Sequence, residues 1–473
     1  MAVIAFPAMS TSGRRAQETG GRLINCYASE VQGAPANPVI WHRAAGLRRV
    51  VENTAYSGCR GFVAVGNVLL YAVEGQVYSV VESGGALAGE LRGPLAGSQP
   101  VTVAQNVAST PNTVCVTENG AFNLYPSAAP SGFADGDLPS PNSVAYVNGY
   151  MIFSTAGGQI WATGLNNVSV DTNSYVAVPK GSLLRVIEYG NEIYAFGDWG
   201  FRVYQDVGAS PFPLEYAQIE KSVGLAGTHA IAGDQSGWSD ALIFAGADNR
   251  VYRMEGYTPV PISTPDVSRA LEAVVDRAPL VASVYVAEGY SFWTLTNPGS
   301  WTWEYNLSTG LWNERKSYGR NDWRGRRSIR MFDKWIIGDA ATGDLLEVVA
   351  GYGYERDEPL VYTLYSGILT AFPNRINAVR SWFRFTAGVG VAAGADPIET
   401  APRVAISWSR DGGATFGNPV HRELGREGDT DALVSIGNTG LSNSKGLQVR
   451  LEISDPVHAG FMGGDAQLES FAP

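Results

Sequence analysis

The residues of this chain that could do chemistry are few and scattered. Four histidines, His42, His229, His421 and His458, could bind a metal or move protons, but none stands in the HxH or HExxH spacing that sets two imidazoles on one face. A zinc hydrolase is therefore not expected, and each His reads as a surface or hydrogen-bonded structural residue. Cys26, Cys59 and Cys115 are odd in number and have no metal-like spacing, so they are expected to be buried thiols of a chain folded in a reducing cytoplasm. A GxSxG nucleophile elbow, a GxxxxGKS/T phosphate loop and a CxxC pair are all absent. No catalytic residue, metal or cofactor is expected.

Two other clusters could act. The run from Arg320 to Arg330, with Arg320, Trp323, Arg324, Arg326, Arg327 and Arg330, is the one concentrated basic patch of an acidic chain. An exposed patch of this kind could meet DNA or an acidic neighbour; a solvated edge strand or a salt-bridged subunit surface is the competing reading. Arg43, Arg48 and Arg49 form a smaller cluster with the same two readings. The second is Ser409, Asp411, Gly413, Thr415 and Phe416, which resembles the Asp box repeated in sialidase propellers. In such a box the Ser, Asp and Thr side chains hydrogen-bond the hairpin backbone and the aromatic ring packs beneath, so a structural turn is expected. The box also motivates the alternative function, a glycan-binding or glycan-hydrolysing β-propeller protein of sialidase type.

The elements that would hold these residues are strands. Charged residues are 17% of the chain, aromatics 11%, and Gly 56 and Pro 25 supply frequent reversals, a composition of many short strands. The net charge of −11 argues against a protein that grips nucleic acid by neutralising phosphates. No apolar stretch reaches the roughly 18 residues of a membrane span, so no membrane insertion is expected.

From Gly61 onward one pattern recurs: an apolar strand, a polar turn, a second apolar strand, a Gly-containing turn, then a strand with an aromatic residue. The turns before that last strand fall at Gly75, Gly120, Gly158, Gly200, Asn249, Gly299 and Gly343. Their steps match the about 40 to 50 residues of a four-stranded propeller blade. One small sheet cannot bury both of its faces; sheets packed radially bury each other's. Six or seven blades are expected over 60–350. Ser263-Thr264-Pro265-Asp266 followed by VSRALEAVVD reads as one capped helix, with Val267, Leu271, Val274 and Val275 on its inner face. After 351 the turn spacing is lost and longer alternating strands appear, such as those carrying Val404, Ile406 and Trp408, and Leu447, Val449, Leu451 and Ile453. A β-sandwich-like domain is expected over 351–473. The loop from Gly390 to Pro402 should be exposed.

Four segments, in order, make the chain resemble the packaged-DNA-stabilising or tail-nozzle proteins of short-tailed phages. They are RLINCYASEVQG from Arg22 with PVIWHRAAGLRRV from Pro38; the block from Val186 to Thr264; FWTLTNPGSWTWEYNLSTGLWNERKS from Phe292; and ISWSRDGGATFGNP with VRLEISDPVHAGFMGG. The resemblance implies a virion protein of the tail, made in the host cytoplasm, that forms a homo-hexameric ring below the portal and its adaptor. It further implies docking of tail fibres or spikes and passage of genomic double-stranded DNA without sequence-specific binding. In that reading residues 1–59 are an N-terminal arm with strands for ring closure or adaptor docking, and the Gly-rich stretch from Ser83 is a loop that reaches the channel axis as a gate.

Overall fold

The computed structural model describes residues 1–30, 39–239, 241–391, 396–429 and 431–472. Seven four-stranded antiparallel units make up most of them. The first runs through Cys59–Val65, Val68–Val73, Gln76–Ser83 and Ala86–Pro94, and the second through Thr102–Gln105, Thr113–Thr117, Gly120–Leu124 and Ser131–Gly132. Blades three and four start from inner strands Ser143–Val147 and Arg185–Tyr189, and blade five from Ile231–Ala232. Blade six is Val281–Ala287, Tyr290–Asn297, Trp301–Asn306 and Leu311–Arg315. Blade seven is Gly325–Met331, Lys334–Asp339 and Leu345–Val349, completed on its outer side by Gly46–Val51 from near the chain start. The fold is a seven-bladed β-propeller closed by that strand.

Each of the seven turns read from the sequence marks the junction of the second and third strands of a different blade, Gly120 as the first residue of its third strand. Asn148 and Gly149, between the first two strands of blade three, show the local cause of a tight hairpin: both have positive φ, 47° and 98°, as a two-residue turn between right-twisted strands requires. The radial logic is equally visible. Separate apolar clusters fill the layers between blades: Leu70, Val101 and Cys115 between one and two, Ile160, Ile193 and Tyr204 between three and four, Phe196, Phe201 and Phe244 between four and five. Every fully buried aliphatic or Phe side chain in these layers contributes about 1.5–3 kcal/mol. Hydroxyls stitch neighbouring inner strands: Thr102 Oγ1 accepts from Val144 N (3.0 Å), Ser143 Oγ from Val186 N (2.8 Å) and Ser328 Oγ from Val284 N (3.3 Å).

The stretch from Ser83 is not a loop toward the axis. It forms the outermost strand of blade one, Ala86–Pro94, paired with Gln76–Ser83. Its sequence hides this because an outermost strand has solvent on one edge and needs no apolar run. The capped helix is Pro265–Glu272; Thr264 Oγ1 accepts from Val267 N, and Val267 and Leu271 are buried. Val275 is fully exposed, because the helix ends three residues before it and its side chain no longer follows the helical face.

Both termini build the sandwich. One sheet continues blade six outward through Arg22–Ile24, Tyr362–Tyr365, Gln448–Ile453, Arg403–Ser409 and Val420–Glu423, giving nine strands in a row. The facing sheet holds Cys26–Glu30, Val39–Arg43, Phe461–Phe471, Arg375–Phe385 and Val434–Gly437, with Ala2–Ile4 on Phe461–Phe471. Ile4, Leu23, Trp41, Phe383, Val404, Leu451 and Phe461 meet between them. Residues 1–59 are thus no single arm: the strands up to Arg43 belong to the sandwich, and only Gly46–Val51 closes the ring. Their partners lie hundreds of residues away, where no local pattern reaches. In the Gly390–Pro402 loop, 392–395 lie outside the described residues, as do 31–33 and Pro38 of the first family-like segment; Gly390 and Pro402 are buried.

Candidate functional site

The arginine run is not an exposed patch. Its core is the inner strand of blade seven, whose side chains turn into the layers beside it, and the acids that neutralise them are Asp322 within the run and Asp339 on the next strand. Trp323 is buried, donates from Nε1 to Glu355 Oε1 (2.8 Å) and stacks under the Arg315 guanidinium at 4.7 Å. Arg324 forms a two-pronged pair with Asp339, at 3.0 and 2.8 Å. Arg326 pairs with Asp322, as does Arg320 (3.1 Å). Arg327 reaches His229, and Arg330 alone of the six is exposed. The smaller cluster divides likewise: Arg43 is buried and donates to the carbonyls of Ile453 and Asp455, while Arg48 pairs with Glu347 and Arg49 with Asp357.

Two carboxylates, Glu304 and Glu355, flank Arg315 where blades six and seven meet the strand that closes the ring. All three side chains are shut off from solvent. Glu304 accepts from Asn313 Nδ2 (2.7 Å) and from the Tyr285 hydroxyl; Glu355 accepts from Arg315 Nη2 (2.9 Å), Trp323 Nε1 and the Ser317 hydroxyl. Arg315 also donates to the Ala45 carbonyl (3.1 Å). Burial opposes the charge on Arg315, but Tyr285, Glu304 and Glu355 outweigh it and hold the guanidinium protonated. A carboxylate pair so completely committed, with no substrate access, is an internal clasp and not a general acid and base.

The propeller axis is built differently. Arg60, Arg185 and Arg327 stand at the starts of the inner strands of blades one, four and seven, a recurrence that aligning the blades on their first strands would have revealed. Arg60 is satisfied: it donates to the carbonyls of Gln99 (2.7 Å) and Glu74 (2.8 Å) and lies 3.5 Å from Glu118. Arg185 is buried, and among the described residues its side chain's one hydrogen bond goes from Nη1 to the Thr228 carbonyl (3.2 Å). The Nε groups of Arg185 and Arg327 are both buried without a partner. Burial pushes the Arg327 guanidinium down to about 9, and the charge on Arg185 adds to that. Buried His229, from the loop entering blade five, is pushed well below the usual range by burial and by Arg327 and Arg185, so it is neutral. Its ring meets both Arg327 of blade seven and the Pro100 backbone at the entry to blade two, which bridges the axis. A cavity of about 300 Å³ opens at this end, lined by Arg60, Arg320, Arg326, Arg327, Cys59 and Val281 among others. A second, of about 260 Å³, runs along Thr102–Gln105 and Arg185–Glu188 to Asp234.

The Asp-box residues form the expected turn. Ser409 Oγ donates to Asp411 Oδ1 (2.7 Å) and accepts from Gly413 N (2.8 Å); Asp411 accepts from Thr415 N (2.9 Å) and Thr415 Oγ1 (2.6 Å). Phe416 packs edge-on against Tyr365 and under Arg450. Every one of these bonds is internal to the turn, in the sandwich and far from the axis. Among the histidines, sequence distance hid one pair: His42 and His458 stack at 5.6 Å. The three cysteines are free and buried, no metal-binding cluster of His, Cys, Asp or Glu occurs among the described residues, and no helix is long and apolar enough to cross a membrane.

Comparison with solved structures finds chains of very different sequence. The WD40 β-propeller domain of Doa1 is 9% identical, with 65% of this chain and 97% of that one covered at a TM-score of 0.42. The extracellular domain of the hybrid two-component system BT4673 from B. thetaiotaomicron is 9% identical at a TM-score of 0.44; 73% of this chain is covered, against 45% of that one. The designed protein Ika8 is 10% identical at a TM-score of 0.38, covering 64% of this chain and 99% of that one. No curated protein sequence matches. The family model described as "Bacteriophage P22 Gp10, beta-propeller" matches residues 43–349, which begins just before the ring-closing strand and ends with the third strand of blade seven. By that match over most of its length, the chain belongs to this family of phage-stabilising β-propellers, structural proteins of the phage tail.

Proposed function

We propose that this protein is the nozzle subunit of a short phage tail: six copies form a ring below the portal and its adaptor, extend the DNA channel, help retain the packaged genome and dock tail fibres or spikes. Family membership over 43–349 is the observation that carries this reading. The axis refines it. With His229 bridging to blades two and seven, the hole of a single propeller cannot pass a duplex whose major groove alone is about 12 Å wide. DNA therefore passes between subunits, and each propeller is a solid wall segment. The acidic balance of the chain fits a wall along which a polyanion slides without sticking. A nine-stranded sheet running from blade six into the sandwich makes propeller and sandwich one stiff piece, suited to transmitting force from a docked fibre to the ring.

Cryo-electron microscopy of virions tests the reading. Sixfold density at the tail tip, with this fold in each subunit and the lumen between subunits, is the expected result. Density that threads DNA through the propeller holes, or virions that lack the chain, would overturn it.

A further inference from the structure

We propose that the propeller axis holds a bound oxyanion of the phosphate class, seated in the cavity lined by Arg60, Arg320, Arg326 and Arg327, with Arg185 behind it. This inference does not depend on the nozzle reading. Four guanidiniums and no carboxylate line that cavity, and its volume of about 300 Å³ suits a small ligand. Arg60 is paired with Glu118, and Arg320 and Arg326 share Asp322. Arg327 has no such partner among the described residues. Its Nε is buried and unpartnered, and its neighbour across the axis, Arg185, is in the same condition.

Among the described residues, Asp234 is the carboxylate whose charge reaches both Arg185 and Arg327, and it is an exposed side chain that forms no ion pair with either. His229 adds no charge of its own, being neutral. At least one positive charge at the axis is thus left without a buried counterion, an arrangement that a folded protein tolerates poorly unless something else supplies the negative charge. The guanidinium fork is the side chain best shaped for an oxyanion with several acceptor atoms. Because Arg60, Arg185 and Arg327 come from blades one, four and seven, an anion among them joins three blades. Its role is to rivet the ring, and binding to the folded state alone raises stability with anion concentration. Free inorganic phosphate and the phosphate of a mononucleotide share this chemistry.

The full-length purified chain is titrated with inorganic phosphate and, separately, with deoxyadenosine monophosphate, at constant ionic strength maintained with chloride. Phosphorus NMR line widths and the thermal midpoint are read together. The site predicts saturable broadening and a saturable rise in midpoint with one or both ligands; both ligands acting equally assigns recognition to the phosphate itself, and the nucleotide alone acting assigns it to an esterified phosphate. In Arg327→Met, and in the Arg185→Met/Arg327→Met double variant, affinity falls at least about tenfold, while the midpoint without ligand holds or rises because an unpaired buried charge is gone. The variants also control for the general stabilisation by phosphate as an excluded salt, which raises all midpoints without saturating. Wild-type lines that stay sharp with both ligands, or a midpoint that climbs in parallel for wild type and double variant, would overturn the proposal without reference to how the variants fold.

Discussion

The clasp around Arg315 and the axis around Arg185 both bury guanidinium groups in one propeller, and they solve the problem in opposite ways. At the clasp every charge has a partner inside the protein: Arg315 between Glu304 and Glu355, Arg324 on Asp339. At the axis Arg185 and Arg327 form no ion pair among the described residues: Arg185 donates to the Thr228 carbonyl and Arg327 meets a neutral histidine. The clasp is where blade six, blade seven, the ring-closing strand and the sandwich meet, so its groups are placed by covalent connections on all sides. Axial residues instead come from separate blades and converge only because the ring is closed. A charge that is fully compensated within the chain is a structural fastening; one left uncompensated marks a place for something from outside.

The largest effect expected from breaking this contrast is at Glu355. Glu355→Ala leaves Arg315, Trp323 Nε1 and the Ser317 hydroxyl buried without their acceptor, and should cost about 3–5 kcal/mol in urea unfolding. A loss below about 1 kcal/mol would show that the clasp is no fastening. The next effect sharpens the comparison by making one change in both regions. Arg324→Met strands Asp339 in the interior and should cost about 3 kcal/mol, whereas Arg185→Met in phosphate-free buffer should cost less than about 1 kcal/mol, since Asp234 stays in water. Equal losses would place the two arginines in the same class.

Smaller again is the Asp-box turn. Partial burial pushes the Asp411 carboxyl up, but hydrogen bonds from Thr415, Ser409 and the Ala414 backbone outweigh it and hold it down to about 2. Its contribution is therefore complete above the unfolded carboxylate value of about 3.9 and disappears as pH falls from there toward 2. Asp411→Ala should destabilise by about 1 kcal/mol at neutral pH, and the difference from wild type should vanish near pH 2; a difference independent of pH would refute the assignment. Least of all, Arg330→Ala, at the exposed end of the run, should move monomer stability by no more than about 0.5 kcal/mol, checked by the same unfolding curves.

Much of this architecture is legible in the residue order. Turn residues at Gly75 through Gly343 mark the same hairpin in every blade because hairpin chemistry is local: two residues with the right φ suffice. The fourth strands were less legible. Ala86–Pro94 looks like a Gly-rich loop since an outermost strand lacks a neighbour to bury it on one edge, and Gly46–Val51 pairs with a strand about 300 residues later. The candidate site was legible only as charge. Nothing along Arg320–Arg330 distinguishes Arg324, which finds Asp339, from Arg327, which finds a neutral histidine. Arg185 and His229 are single residues without motif spacing, so nothing local in the chain marks either as axial.

Residue order by itself determined the all-β class, the periodic blades, the capped helix, the Asp-box turn and the phage tail family, because each rests on contacts between residues near in the chain or on an ordered set of segments. Tertiary structure alone decided that both termini build one sandwich, that the basic run is buried and mostly paired, and that the propeller axis is bridged by His229 with two guanidiniums left over. Ion-pair partnership acts through space over a few ångströms, and ring closure brings together residues whose separation along the chain carries no trace of it.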